Sequence, residues 1–183
     1  MRWTWARFAE LAVDDLYDAL ALRARVFVVE QACAFQDPDG VDRESWHLLG
    51  RDTQGVLTGY LRVVDGNDPP AVGASDLSVV PVVPRVPGVP GMPGQPAVPG
   101  GQATWSAPAI GRVVTAPEVR GTGAGRTLFA EGLARCLAVW PGRGIRLNAQ
   151  AHLERFYGGF GFVRAGENFL EDDIPHVPMW RAP

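Results

Sequence analysis

Ala109-Ile-Gly-Arg-Val-Val-Thr-Ala-Pro-Glu-Val-Arg-Gly-Thr-Gly-Ala-Gly-Arg-Thr-Leu128 is the stretch on which the reading of this chain turns. It opens on a β-branched apolar run, 109–115, that predicts a strand. A Pro-containing turn and a glycine-rich loop, Arg120 to Gly125, come next, and then a helix to about Val139. In such a loop several backbone N–H groups can face one point. The helix behind it adds its unpaired first-turn donors and the positive end of its dipole. The combination predicts a site for a phosphate or diphosphate.

Two common phosphate loops are excluded by residue type. A nucleotide P-loop ends in Gly-Lys-[Ser/Thr], and this chain has no lysine; its 17 basic residues are all arginine. A dinucleotide fingerprint needs Gly-x-Gly-x-x-Gly, but counting from Gly121 the third position is Arg126. The stretch Gly144–Gln150 also lacks the acidic residue that would hold a ribose.

Composition sets the frame. At 183 residues, with 46% apolar and 20% charged residues, the chain suits one globular domain. No apolar run approaches the ~18 residues of a membrane span, and the first residues lack a signal peptide's apolar core. Cys33 and Cys136 have neither metal-ligand spacing nor partners for a disulfide framework, so a reduced, cytoplasmic protein is expected. Net charge is −3, yet residues 109–164 carry eight arginines against three acids. A multiply anionic small molecule fits that asymmetry better than nucleic acid does. The spacing of His47, His152 and His176 predicts no metal site.

The order of predicted elements is α/β. Trp3–Leu11 is expected as a strand. A helix follows from Val13, capped by Asp14 or Asp15, with Leu16, Leu20 and Phe27 near one face and Arg23 interrupting that face. The helix is expected to fade at Val26–Val29. Trp46–Arg51 and Val56–Val64 predict two strands joined at Asp52–Gly55. Residues 67–108 then read as a Pro/Gly-rich insertion, with proline at every third position from Pro81 to Pro99. That period belongs to polyproline II and cannot join a sheet, so a mobile surface loop is expected; a docking segment for a proline-reading partner is the alternative. Strand Ile145–Gln150, helix Leu153–Phe160 and closing strands Phe162–Leu170 and Val177–Arg181 complete the prediction.

Arg120-x-x-Gly123-x-Gly125 resembles the pyrophosphate loop of the GNAT superfamily of acyl-CoA-dependent N-acetyltransferases. Ala151-His-Leu-Glu-Arg-Phe-Tyr-Gly-Gly-Phe-Gly-Phe162 is similar to a second motif of that superfamily, in the same order along the chain. Six further segments resemble its ElaA-like branch: Arg23–Gln31, Phe35–Gly40, His47–Leu49, Ile110–Val114, Ala149–His152 and Ile174–Met179. The branch usually has glycine where this chain has Asp173. The resemblance implies a mixed, mainly antiparallel central sheet flanked by helices, filling residues 1–183 as one domain around the insertion. It implies acetyl-CoA as co-substrate, no metal, and acetyl transfer to a primary amine of a small molecule or peptide. It implies that the backbone of Val113 and Val114 holds the pantetheine arm. Arg120, Gly121, Thr122, Gly123, Ala124 and Gly125 would hold the diphosphate, with Arg126 adding charge. Gln150, where many members have asparagine, would be a further cofactor contact. Tyr157 would sit beside the sulfur as proton donor; its alternative is simple helix packing.

The attacking amine must lose a proton, and Glu30, His152 and His176 are the candidate bases. Capping, pairing with arginine or structural hydrogen bonding would equally account for each. Residues 30–44 hold five acids against one arginine, and 167–173 hold four more. If both flank the acceptor, a cationic amine would be favoured. A non-catalytic acyl-CoA sensor, or an interaction protein using the proline tract, remains as an alternative function, and a homodimer is compatible with the chain.

Overall fold

The computed structural model describes residues 1–33, 36–65 and 107–183. Its strands are β1 (Arg2–Arg7), β2 (Ser45–Arg51), β3 (Leu57–Val64), β4 (Ala109–Thr115), β5 (Ile145–Gln150), β6 (Val163–Arg164), β7 (Phe169–Glu171) and β8 (Ile174–Arg181). Its α-helices are α1 (Val13–Arg23), α2 (Ala124–Val139) and α3 (Glu154–Gly158). The strands form one sheet in the order β1-β2-β3-β4-β5-β8-β6, with β7 also paired to β8. Every pairing is antiparallel except β4 with β5.

Strand alternation divides the core between two faces. Leu49, Tyr60 and Val114 point to one face, where Ala19 and Leu22 of α1 and the following Val26 cover them. Leu48, Leu61 and Val63 point to the other, beneath Leu128, Phe129 and Leu133 of α2. Phe129 is fully buried and meets the rings of Phe156, Tyr157, Phe160 and Phe162 edge-on at 4.8–6.0 Å. Those T-shaped contacts are the preferred aromatic geometry, and they seat α3 on the same face as α2. Gly132 lets α2 approach β3 closely: a Cβ there would stand 2.5 Å from Leu61 Cδ2.

Several predicted boundaries shift. The first strand ends at Arg7 and the chain turns through a 3-10 segment, Phe8–Glu10. The N-cap of α1 is Ala12, with no side-chain bond; Asp14 and Asp15 sit inside the first turn instead. There they favour the dipole, and Asp15 pairs with Arg51 at 2.6 Å. The helix does not fade at Val26. It widens into a π-helical segment, Ala24–Glu30, closed by Gln31 N–H donating to the Val26 carbonyl at 3.0 Å. Crowded β-branched residues disfavour the α-helical turn without forbidding a wider one.

The helix expected at Leu153–Phe160 divides into a 3-10 turn, Ala151–Leu153, and the short α3. The closing strand expected at Phe162–Leu170 is two short strands, β6 and β7. Ala107 and Pro108, the last two residues of the expected insertion, are both buried, and Arg146 N–H donates to the Pro108 carbonyl at 3.0 Å. The rest of the 67–108 insertion, including the Pro81–Pro99 tract, lies outside the described residues.

Candidate active site

β4 and β5 share a single parallel register pair, Ala109 with Arg146. Beyond it they diverge, so the edge of β4 that faces β5 lacks a strand partner there. Ala116 N–H donates to the Thr58 carbonyl at 2.9 Å, toward β3. Alternation back along the strand turns Val114 toward β3, where it pairs with Tyr60, and turns Thr115 and Val113 toward the opening. The two valines therefore differ: Val113 offers its backbone to the opening, while Val114 is committed to the sheet and its side chain to the core. Thr115, which sequence reading left out, takes the second open position.

Just before Val113 the register between β3 and β4 slips, and Arg112 takes a left-handed φ of 51°. This is a bulge, which bends the strand and re-aims the backbone beside it. A left-handed non-glycine residue costs about 1–2 kcal/mol, so something must hold it.

At the C-terminal end of β4 a 3-10 turn, Pro117–Val119, leads into the glycine loop. Gly121 and Gly123 have φ of 75° and 89°, and a Cβ on either would meet nothing within 4 Å. The positive φ reserves both positions for glycine, and the space before them is open. Gly123 is the N-cap of α2 and no side chain caps it. The helix's own bonding starts at Thr127, whose N–H donates to the Gly123 carbonyl at 3.1 Å. The Ala124, Gly125 and Arg126 N–H groups thus lie in the first turn, ahead of intrahelical partners. Thr122 Oγ1 is occupied by the Val119 carbonyl at 2.7 Å, so Thr122 contributes backbone rather than hydroxyl. Arg126 lies 5.0 Å over the Phe160 ring and, with Phe160, borders an open groove of about 480 Å³. A diphosphate fits this set of donors, positive charge and open space.

Tyr157 is buried on the α2 face, its ring 4.9 Å from Phe129. Burial pushes its phenol up to about 12. The group stays protonated at neutral pH and presents an O–H. Full transfer to a thiolate, whose ordinary pKa is ~8.5, runs uphill from such a phenol; a hydrogen bond to the departing sulfur does not.

On the opposite face, the end of β5 carries Gln150, whose amide donates to Gln31 Oε1 at 3.3 Å. His176 sits directly across from Gln150 on β8. Its Nδ1 is 2.8 Å from the Ile174 carbonyl. A carbonyl only accepts, so Nδ1 carries a proton, and in the neutral ring the lone pair lies on Nε2. Phe169 stacks on the imidazole at 5.9 Å. His152 is exposed on the turn after β5. Glu30 is held by Arg120 at 2.6 and 3.0 Å; the hydrogen bond from Arg120 lowers its carboxyl. Of the three candidate bases, His176 alone combines partial burial with a fixed tautomer.

The acids of residues 30–44 are not a free negative surface. Asp37, Asp39 and Asp42 alternate with Arg23, Arg62 and Arg112 in a closed ring. Arg23 reaches Asp37 at 2.8 Å and Asp42 at 2.8 Å, Arg62 reaches Asp39 at 2.7 Å and Asp42 at 2.8 Å, and Arg112 reaches Asp37 at 2.9 Å and Asp39 at 3.2 Å. Burial alone would push Asp39 and Asp42 up, but the arginine hydrogen bonds and charges outweigh it and both are lowered. His47 closes the inner side: Nε2 donates to the Asp42 carbonyl at 2.9 Å and Nδ1 accepts from Tyr60 O–H at 2.8 Å. Sequence reading noticed Arg23 on an apolar stripe and missed the ring. That buried arginine was its available signal, because a buried charge demands a partner.

Both thiols are buried: burial pushes Cys136 up to about 12, and burial with the charges of Asp172 and Asp173 pushes Cys33 up. Neither is primed as a nucleophile. Among the described residues no three His, Cys, Asp or Glu side chains gather as for a metal, and no helix is long and apolar enough to cross a membrane.

A sheet parted between β4 and β5, with a glycine loop and helix N-terminus at one end of the gap, defines the GNAT class of acyl-CoA-dependent N-acyltransferases. Comparison with known proteins agrees. The Acetyltransferase (GNAT) domain family matches residues 100–182. The chain is 35% identical to Protein ElaA of Escherichia coli K12 over 183 residues, covering 99% of this chain and 96% of that protein. It is 33% identical to a UPF0039 protein of Synechocystis over 179 residues, covering 98% and 94%. The crystal structure of an acyl-CoA N-acyltransferase from Pseudomonas aeruginosa superposes with a TM-score of 0.74 at 34% identity, covering 100% of both chains. Escherichia coli ElaA superposes with a TM-score of 0.72 at 32% identity, covering 98% of each. The chain belongs to the ElaA/UPF0039 family of GNAT-domain proteins.

Proposed function

We propose that this protein transfers the acetyl group of acetyl-CoA to the nitrogen of a primary amine by direct attack. The observation that carries the reading is the gap between β4 and β5, which runs through the sheet from one face to the other. Tyr157 stands on the α2 face and His176 with Gln150 on the α1 side, so donor and acceptor would approach from opposite faces.

Gly121 to Gly125 and the first-turn amides of α2 would hold the diphosphate, with Arg126 adding charge; Arg120 gives its N–H to the Pro117 carbonyl and its guanidinium to Glu30, so it would join only on release from Glu30. Val113 N–H would polarise the thioester carbonyl and stabilise the charge that develops on its oxygen. Thr115 and Val113 would also align the pantetheine arm along the open edge of β4. Tyr157 would donate a hydrogen bond to the departing sulfur. His176 Nε2 would take the amine proton, directly or through one water. Glu30 would first have to yield Arg120, and His152 stands in solvent. Raised thiols at Cys33 and Cys136 weigh against an acyl-cysteine route.

The acceptor is assigned as a cationic amine, small molecule or peptide, on a narrower basis than composition suggested. Three of the acids in residues 30–44 are neutralised in the ring. The charges of Asp172 and Asp173, which act on Cys33 near the Gln31 end of the opening, form no ion pair among the described residues. The test is thioester consumption against a panel of amines, with calorimetry for acetyl-CoA. Turnover with polyamine-like, lysine-like or aminoglycoside-like amines is expected. Preference for neutral amines would remove the charge assignment, and absence of acetyl-CoA binding would remove the whole reading.

A further inference from the structure

We infer that the six-membered Arg–Asp ring is a positioning device for acyl transfer, acting through Arg112 on the backbone of Val113. The inference rests on the acetyl-transfer reading and adds a role for residues to which that reading assigns none.

The ring ties four segments together. Arg23 comes from the end of α1, Arg62 from β3, Arg112 from β4, and the three aspartates from residues 37–42. Each carboxylate bridges two guanidinium groups and each guanidinium bridges two carboxylates. Three positive and three negative charges close on themselves, so the ring is electrically neutral as a unit. Five of its members are at most 10% exposed at the side chain; Arg112, at 19%, is the sixth.

Arg112 is the member that links the ring to chemistry. Its φ of 51° makes the bulge in β4. The residue after it turns its N–H toward the opening, where a thioester carbonyl would need a donor. A left-handed arginine does not hold itself; its guanidinium is anchored by Asp37 at 2.9 Å and Asp39 at 3.2 Å. Those two aspartates are themselves fixed by Arg23 and Arg62. The chain of restraint therefore runs from buried ion pairs to a backbone angle and then to the direction of one N–H. Pre-aimed donors are the largest contributors to acyl-transfer catalysis, and small misalignment weakens them steeply. Arginine suits the position because its planar fork bridges two carboxylates; lysine presents a single point charge.

The test compares Arg112→Gly, Arg112→Lys and Arg51→Ala in the full chain. Glycine tolerates the positive φ but cuts the tether, while Asp37 and Asp39 keep Arg23 and Arg62. Arg51, bonded to Asp15 and the Gly55 carbonyl, is a buried, ion-paired arginine outside the site. Expected for Arg112→Gly is a kcat fall of about tenfold or more with acetyl-CoA affinity and acceptor KM within about twofold, Arg112→Lys intermediate, and Arg51→Ala at wild-type kcat. The infrared carbonyl stretch of bound 13C-acetyl-CoA, shifted down in the wild type, should move back toward its solution value in Arg112→Gly. If Arg112→Gly yields no folded protein, Arg112→Lys carries the same comparison. Wild-type kcat and an unmoved carbonyl stretch in the folded Arg112 variants overturn the inference while leaving the acetyl-transfer reading intact. A wild-type protein that binds no acetyl-CoA overturns that reading itself.

Discussion

Tyr157 and His176 are the residues on which the chemistry can be divided. The phenol, pushed up to about 12 by burial, cannot ionise at neutral pH. The contribution proposed for it is therefore a hydrogen bond to sulfur rather than full proton transfer. Tyr157→Phe should lower kcat by about 100-fold, the low end for a general acid, while calorimetry finds acetyl-CoA affinity unchanged. A wild-type rate would assign the ring to packing against Phe129 alone. His176→Asn keeps a polar group on β8 and removes the Nε2 lone pair. Steady-state assays should show kcat reduced about 100-fold with little change in KM for the thioester. Retained kcat would return the base to Glu30, freed from Arg120, or to His152.

At the scale of elements, the tip of the β7–β8 hairpin is informative. Asp172 and Asp173 both have positive φ, 51° and 62°. A two-residue turn with that pair of angles is type I′, for which glycine is favoured at the second position. Asp173 therefore holds the position that this turn favours for glycine, and it carries the strain of it. Asp173→Gly should raise stability by about 0.5–1 kcal/mol, or about 1–4 °C in thermal midpoint. An unchanged or lower midpoint would show that the aspartate has a compensating local bond. Elements with strong local patterns were legible beforehand. β2, β3, β4, β5 and α2 follow from alternation, turn residues and the Phe129–Leu133–Cys136 stripe. The glycine loop was legible for the same reason, since its geometry is written in consecutive residues. The π-helical segment was not, because propensity distinguishes helix from coil better than one helical turn from another. The Arg–Asp ring was not, because its members lie up to 89 positions apart, from Arg23 to Arg112. The distinction between Val113 and Val114 needed the partner of Ala116, which lies on another strand.

For the whole molecule, burial of titrating groups predicts how stability depends on pH. Burial lowers His47, so below its ordinary value of 6.5 the unfolded chain binds a proton that the native one refuses. Stability is fully present above that pH and falls as pH drops beneath it. A second loss begins below 3.8, the ordinary value from which Asp39 and Asp42 are depressed, because there the unfolded carboxylates protonate first. Thermal midpoints measured from neutral to acid should fall in two stages, and His47→Gln should remove the first. A single stage in the wild type would mean that His47 titrates normally in the native state. The single register pair between β4 and β5 has a consequence at this scale as well. The sheet consists of two leaves, β1 to β4 and β5 to β8, with almost no backbone stitching between them, so much of their mutual orientation falls to the α2 layer. A ligand that grips both leaves would act as the missing spine, and hydrogen exchange along the facing edges would slow when it binds while the outer edges of both leaves go on exchanging as before.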